Sequence, residues 1–201
     1  MAPLTCEGWR CFELANHRNN TIYLSGGWGT TGYTNAVVAY ELADESTKTI
    51  QALNVPRSAH TSCILADKLF VFGGIDSSIA HIGLIEVLDI TNLAKGWELI
   101  KEPPIPGGLR PLMTAINEAE LLMVGGMGSL GRQSSCYTYN TKDKSETHVT
   151  SKTGEMLFQG CGQASVMCDG SIITLIQFEN NELRLVCYDQ KTNTMANVSK
   201  R

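Results

Sequence analysis

Val55-Pro56-Arg57-Ser58-Ala59-His60 opens a segment that runs on through Thr61-Ser62-Cys63-Ile64-Leu65 to Leu69-Phe70-Val71-Phe72-Gly73-Gly74. A four-residue apolar run closed by two glycines reads as a buried strand ending in a turn that needs positive φ. The same signature stands at Ile22-Tyr23-Leu24-Ser25-Gly26-Gly27 and at Leu121-Leu122-Met123-Val124-Gly125-Gly126. The first glycines of the three pairs lie 47 and 52 residues apart. An arginine precedes each pair, Arg10 and Arg57 by 16 residues and Arg110 by 15. An apolar residue closing a further strand follows 14 or 15 residues later, at Tyr40, Leu88 and Tyr139. Three markers held in phase at a period near fifty identify an internal repeat.

A fourth unit keeps the rhythm with altered markers. Residues 162–168, 171–176 and 183–188 read as strands, Asp169-Gly170 as a turn, and Glu179-Asn180-Asn181-Glu182 as a polar hairpin. Ile176-Gln177 replaces the glycine pair, and Tyr188-Asp189 closes the last of these strands. Each unit therefore predicts four short strands, in the second over about 58–65, 68–73, 83–89 and 96–100. No stretch of ten residues carries a clean 3.6 period, so no substantial helix is expected. Trp97, on the outermost strand of the second unit, is expected to wedge between neighbouring units.

The order Pro56-Arg57, apolar strand to Gly73-Gly74, Val87-Leu88-Asp89 and Trp97 resembles the kelch repeat. The first and third units share the arginine, the glycine pair and the tyrosine but lack the tryptophan, and the fourth keeps Tyr188-Asp189. The resemblance implies an all-β chain, a β-propeller of four kelch-type four-stranded blades over 1–201, at roughly 10–54, 55–102, 103–152 and 153–198. Kelch rings usually hold five to seven blades. Four units fit a complete small ring, an open arc completed by a second copy through self-association, or part of a larger propeller.

Composition narrows the function classes. Hydrophobic residues make up 43% of the 201, charged residues 18%, and the net charge is −4. That is a globular chain whose scattered cations offer no phosphate-binding patch, so nucleic acid is not an expected partner. Apolar runs are strand-length, so no membrane span is expected. The first ten residues lack the apolar region of a secretory signal, and the seven cysteines are odd in number and irregular in spacing. Free, reduced thiols in a cytoplasmic protein are the expectation.

Little in the sequence points to catalysis. Gly27-Trp28-Gly29-Thr30-Thr31-Gly32 and Gly126-Met127-Gly128-Ser129-Leu130-Gly131 match the dinucleotide fingerprint, but strand-like segments follow where a helix is required. The four histidines lie far apart and form no metal-binding pair, so neither cofactor nor metal is expected. In kelch substrate adaptors, the residues opening each innermost strand and the loops after Gly-Gly line a ligand pocket. The resemblance thus nominates Arg10, Arg57, Arg110, His60, Trp28 and Asp76 as binding residues, on a scaffold for another protein, with an acidic segment of the partner as the natural match for the arginines. Two alternatives stand beside it. One is an enzyme of sugar-isomerising or lyase type using Arg57, His60 and Asp76. The other is a structural subunit of a larger assembly; for the arginines themselves, the alternative to binding is hydrogen bonding to the loop carbonyls of neighbouring units.

Overall fold

The computed structural model describes residues 13–16, 20–100, 108–128, 131–133, 135–151, 160–168, 171–178 and 182–198. The protein is all-β, built from several antiparallel sheets. Sheet one holds β1 (Glu13–Asn16), β2 (Thr21–Ser25), β5 (Val37–Glu41) and β6 (Thr47–Ile50). Between β2 and β5 lies a small ribbon of β3 (Trp28–Gly29) and β4 (Gly32–Tyr33). Sheet two holds β7 (Thr61–Leu65), β8 (Lys68–Phe72), β9 (Ile85–Asp89) and β10 (Trp97–Ile100), the last preceded by one 3-10 turn at Leu93–Lys95. Sheet three holds β11 (Leu112–Ala115), β12 (Glu120–Val124), β15 (Cys136–Asn140) and β16 (Glu146–His148). Its ribbon is β13 (Met127–Gly128) with β14 (Gly131–Arg132). Sheet four runs β18 (Gly160–Cys168), β19 (Ser171–Phe178), β20 (Leu183–Asp189) and β21 (Thr194–Asn197). At its outer edge β17 (Thr150–Ser151) joins in parallel to β21.

The first strands of successive sheets pack side by side, β1 on β7, β7 on β11 and β11 on β18. Each middle sheet is thereby covered on both faces, which is why its second strand is apolar after its first residue rather than alternating. In β8, Leu69 and Val71 face sheet one with Leu88, while Phe70 and Phe72 face sheet three with Ile85 and Val87. The next junction buries Leu122, Val124 and Cys136 against Ile172, Val186 and Tyr188.

The glycine pair marks where one unit touches the next. Gly73 and Gly74 have φ of +72° and +90°. A Cβ on Gly73 would lie 2.7 Å from Pro111 Cγ, and one on Gly74 2.6 Å from the Ser58 carbonyl oxygen. Glycine is needed here twice over, for the left-handed turn and for the close backbone approach.

The strand pattern expected from the repeat is largely observed, with β7 starting at Thr61 rather than Ser58. Residues 58–60 instead form a lead-in, bridged from Ser58 to Ile75. Both glycine-rich fingerprints are hairpin ribbons, and a strand rather than a helix follows each. Trp97 is half-buried against the sheet one–sheet two core, and its Nε1 donates to the Gln51 carbonyl at 3.0 Å. The described cysteines Cys63, Cys136 and Cys187 are free thiols, and burial pushes the Cys63 thiol up to about 12. Among the described residues no helix is long and apolar enough to cross a membrane.

Two substitutions separate the glycine roles. Gly74→Ala should cost roughly 2–4 kcal/mol, because positive φ and a backbone clash act together. Gly32→Ala, whose Cβ would meet nothing within 4 Å, carries the positive-φ strain alone and should cost about 1–2 kcal/mol. Urea midpoints of the two variants check the ranking.

Candidate functional site

The lead-in segments before β7 and β11 lie against the loops that follow the glycine pairs. Gly27 N–H donates to the Arg57 carbonyl, Ser58 and Ile75 exchange backbone bonds, and Gly74 N–H donates to the Gly108 carbonyl. Leu109 and Met127 exchange backbone bonds in the same way one unit later. The two lead-ins also meet each other, since Arg110 N–H donates to the Ala59 carbonyl at 2.8 Å. This end of the molecule is therefore a lattice of backbone bonds within and between neighbouring sheets, carrying those nominated side chains that are described.

Arg57 and Glu86 form a fully buried ion pair, both side chains at 0% exposure. Arg57 Nη2 donates to Glu86 Oε1, Nη1 to the Gly73 carbonyl at 3.0 Å, and Nε to the Val55 carbonyl at 3.4 Å. Glu86 also accepts from Asn54 N at 2.7 Å, Asn54 Nδ2 at 2.8 Å and Val55 N at 3.3 Å. The pair thus ties β9, the lead-in and the glycine turn together. Burial lowers the Arg57 pKa, and the Glu86 charge counteracts it. Arg57, nominated as a binding residue, is instead fully out of solvent. Its guanidinium is consumed by structure, because a charge removed from water is retained when paired and fully hydrogen-bonded.

His60 is buried as well. Its Nε2 lies 2.9 Å from Ser25 Oγ at the end of β2, joining sheets one and two. Its Nδ1 has no hydrogen-bond partner, nor does the nearby buried Ser62 Oγ. Burial first, then the Arg57 charge, lowers the imidazole pKa to about 3. A neutral, enclosed imidazole neither meets a ligand nor carries charge.

The remaining nominated residues divide. Trp28, on β3, is 44% exposed, and its strand pairs with that of Tyr33 across the ribbon. Asp76 Oδ1 accepts from Ser78 N, Ser78 Oγ and Ala80 N, so its carboxylate holds its own loop together. Arg110 is exposed. Arg10 lies outside the described residues.

The shared phase of Arg57 and Arg110 is also corrected. Pairing sets Thr61 opposite Phe72 and Leu112 opposite Val124, each the last residue before a glycine pair. Counting back from there, Arg110 occupies the position of Ala59, and Gly108 occupies that of Arg57. Ile116 N–H still donates to the Glu120 carbonyl, so the turn at 117–119 is one residue longer than Ala66-Asp67, which hides one of the two residues of offset. Arg110 and Ala59 accordingly share a left-handed backbone, with φ of +51° and +52°. Gly108 fits because a Cβ there would lie 2.4 Å from the Met127 carbonyl oxygen, leaving no room for an arginine.

Three site residues escaped the sequence reading: Glu86, Asn54 and Ser25. Glu86 left a legible signal, a lone carboxylate inside Ile85-Glu86-Val87-Leu88, where a charge in a buried strand calls for a buried partner. Asn54 and Ser25 left none. Gly27 and Arg110 bond to carbonyls two residues apart on one lead-in, so the exposed indole and the exposed guanidinium are carried at the same end. Among the described residues no group of three His, Cys, Asp or Glu side chains could hold a metal ion. No protein-family model matches the chain, and no curated protein matches it at a significant level.

Arg57→Met should cost about 3–5 kcal/mol, because it leaves Glu86 charged and buried without its cation. Denaturant unfolding at pH 7 measures this. The His60 pKa gives a pH effect of defined sign. The unfolded chain protonates this imidazole near pH 6.5, whereas the fold resists protonation down to about pH 3. Stability contributed by neutral His60 is therefore complete above about pH 6.5 and is lost as pH falls. Between pH 6 and pH 4.5 the loss should approach roughly 1 kcal/mol per unit. His60→Gln should remove that slope, as read from urea midpoints across the same range.

Proposed function

We propose that the chain is an arc of four kelch-type propeller blades and acts as a non-catalytic scaffold, in the cytoplasm, that binds another protein through the loop face bearing Trp28 and Arg110. Four consecutive antiparallel sheets packed through their first strands support the propeller reading, as does the phased glycine signature. The binding reading rests on one observation. An exposed indole and an exposed guanidinium are mounted on segments fixed by inter-sheet backbone bonds, while the groups an acid–base mechanism would need are buried or held in their own loop. Rigid Trp and Arg anchors are the residue types that dominate protein interfaces. A guanidinium pairs best with a carboxylate, so the partner segment is acidic at this point. Arg57 and His60 support the face from beneath, and Asp76 shapes its middle loop.

Selection of a random displayed peptide library on the protein tests this. The recovered peptides should be enriched in Asp and Glu. Arg110→Glu should weaken their binding about 10–100-fold, with a melting temperature close to the parent because the side chain is exposed. Peptides with no acidic enrichment, or binding indifferent to both Arg110→Glu and Trp28→Ala, would overturn the proposal.

A further inference from the structure

The two ends of the row of sheets differ from its middle. Pairing aligns the sheets residue by residue: Ile22 lies opposite Tyr40, Leu69 opposite Leu88, Leu121 opposite Tyr139 and Ile172 opposite Tyr188. Three residues before those partners stand Val37, Ile85, Cys136 and Leu185. The first three are buried against the following sheet, but Leu185 is 48% exposed. Leu183 and Val198 share its face of sheet four and are 56% and 45% exposed. At the other end, Ile22, Val38 and Tyr40 of sheet one remain partly exposed. Their counterparts Leu69 and Leu88, Leu121 and Tyr139, and Ile172 and Tyr188 are all buried against a preceding sheet. Among the described residues, no strand of sheet four packs on sheet one in the way that β1, β7, β11 and β18 pack in series.

We infer that a second copy of this chain covers both faces at once, sheet four of each copy seated on sheet one of the other, as a two-fold ring of eight sheets. This rests on reading the sheets as repeated units, not on ligand binding at the loop face. Three arguments select this occupant. The junction continues an interface already made three times within the chain, between the same aligned positions of neighbouring sheets. The two open faces are complementary ends of one series, so a single copy supplies both, and a head-to-tail contact that closes leaves none exposed. Eight sheets is the upper end of the usual size of β-propeller rings. Area also suffices. A face of four five-residue strands measures about 19 by 17 Å. Two junctions therefore cover about 1,300 Å² in projection, within the range of stable interfaces.

The test is the mass of the full chain in solution by light scattering or sedimentation at micromolar concentration. The expected mass is twice the 21.9 kDa of one chain. Leu185→Lys alters a side chain already half-exposed in the single chain, so folding survives while the junction receives a charge. It should weaken association roughly a hundredfold or more and yield monomer. Val38→Glu on sheet one should do the same. Mixing the two variants should restore the dimer, because one junction then pairs Lys with Glu and the other is unaltered. Ile79→Asp, in an exposed loop away from both faces, should leave the parent mass unchanged. A monomeric parent, an open-ended series of larger masses, or a Leu185→Lys variant that stays dimeric would each overturn the inference. Peptide binding at the loop face is read separately, so either proposal can fail without the other.

Discussion

A Cβ on Gly26 would lie 2.6 Å from the Arg57 carbonyl oxygen, and one on Gly74 equally close to that of Ser58. Everything else in the arrangement depends on this close approach of a glycine turn to the lead-in of a first strand. Where the backbones meet, the N–H groups of Gly27 and Gly74 reach carbonyls of the next unit, so the junction is made by main chain before any side chain contributes. Backbone bonds of this kind fix distance and orientation together. The apolar faces behind them can then interlock in one register, Phe70 and Phe72 with Leu121 and Met123 in the second junction.

The buried polar groups follow from that geometry. The lead-in at 54–60 carries donors and carbonyls that strand pairing does not use, and from Arg57 to His60 it is buried. Glu86 and Arg57 satisfy this segment with charge-assisted bonds, and His60 spans the seam to Ser25. The third unit solves the same problem differently, with Gly108 where Arg57 stands and Tyr137 where Glu86 stands. Glycine there lets the backbone itself come down onto Met127. Two units of one repeat thus use unlike chemistry at equivalent positions. Trp28 and Arg110 are exposed side chains that the lattice holds but does not use.

Much of the fold was legible because strand patterning and glycine turns are local. Apolar runs of strand length, the corner at Ala66-Asp67 and the period near fifty each follow from neighbouring residues. The candidate site was legible only in part. Trp28 and Arg110 were nominated and are exposed, but Arg57, His60 and Asp76 were nominated for the same reason and are committed to structure. Sequence spacing gave Arg57 and Arg110 one phase because it counts residues, whereas the sheet counts pairings. Arg110 lies two pairing positions nearer its strand than Arg57 does, and one extra residue in the turn from β11 to β12 conceals half of that difference in the spacing.

By itself the sequence determined an all-β repeat, the strand order within each unit and the turns that need glycine, since each depends on interactions between residues close along the chain. Tertiary structure alone decided which arginine meets solvent, because burial is set by what the next sheet lays over a position. It also decided that Glu86 is the partner of Arg57, 29 residues away, since only sheet pairing brings that carboxylate to the lead-in. The open faces at both ends belong to the same class of fact. Leu185 and Ile85 are both apolar residues in apolar strands, and one is exposed while the other is buried because a neighbouring sheet covers only one of them.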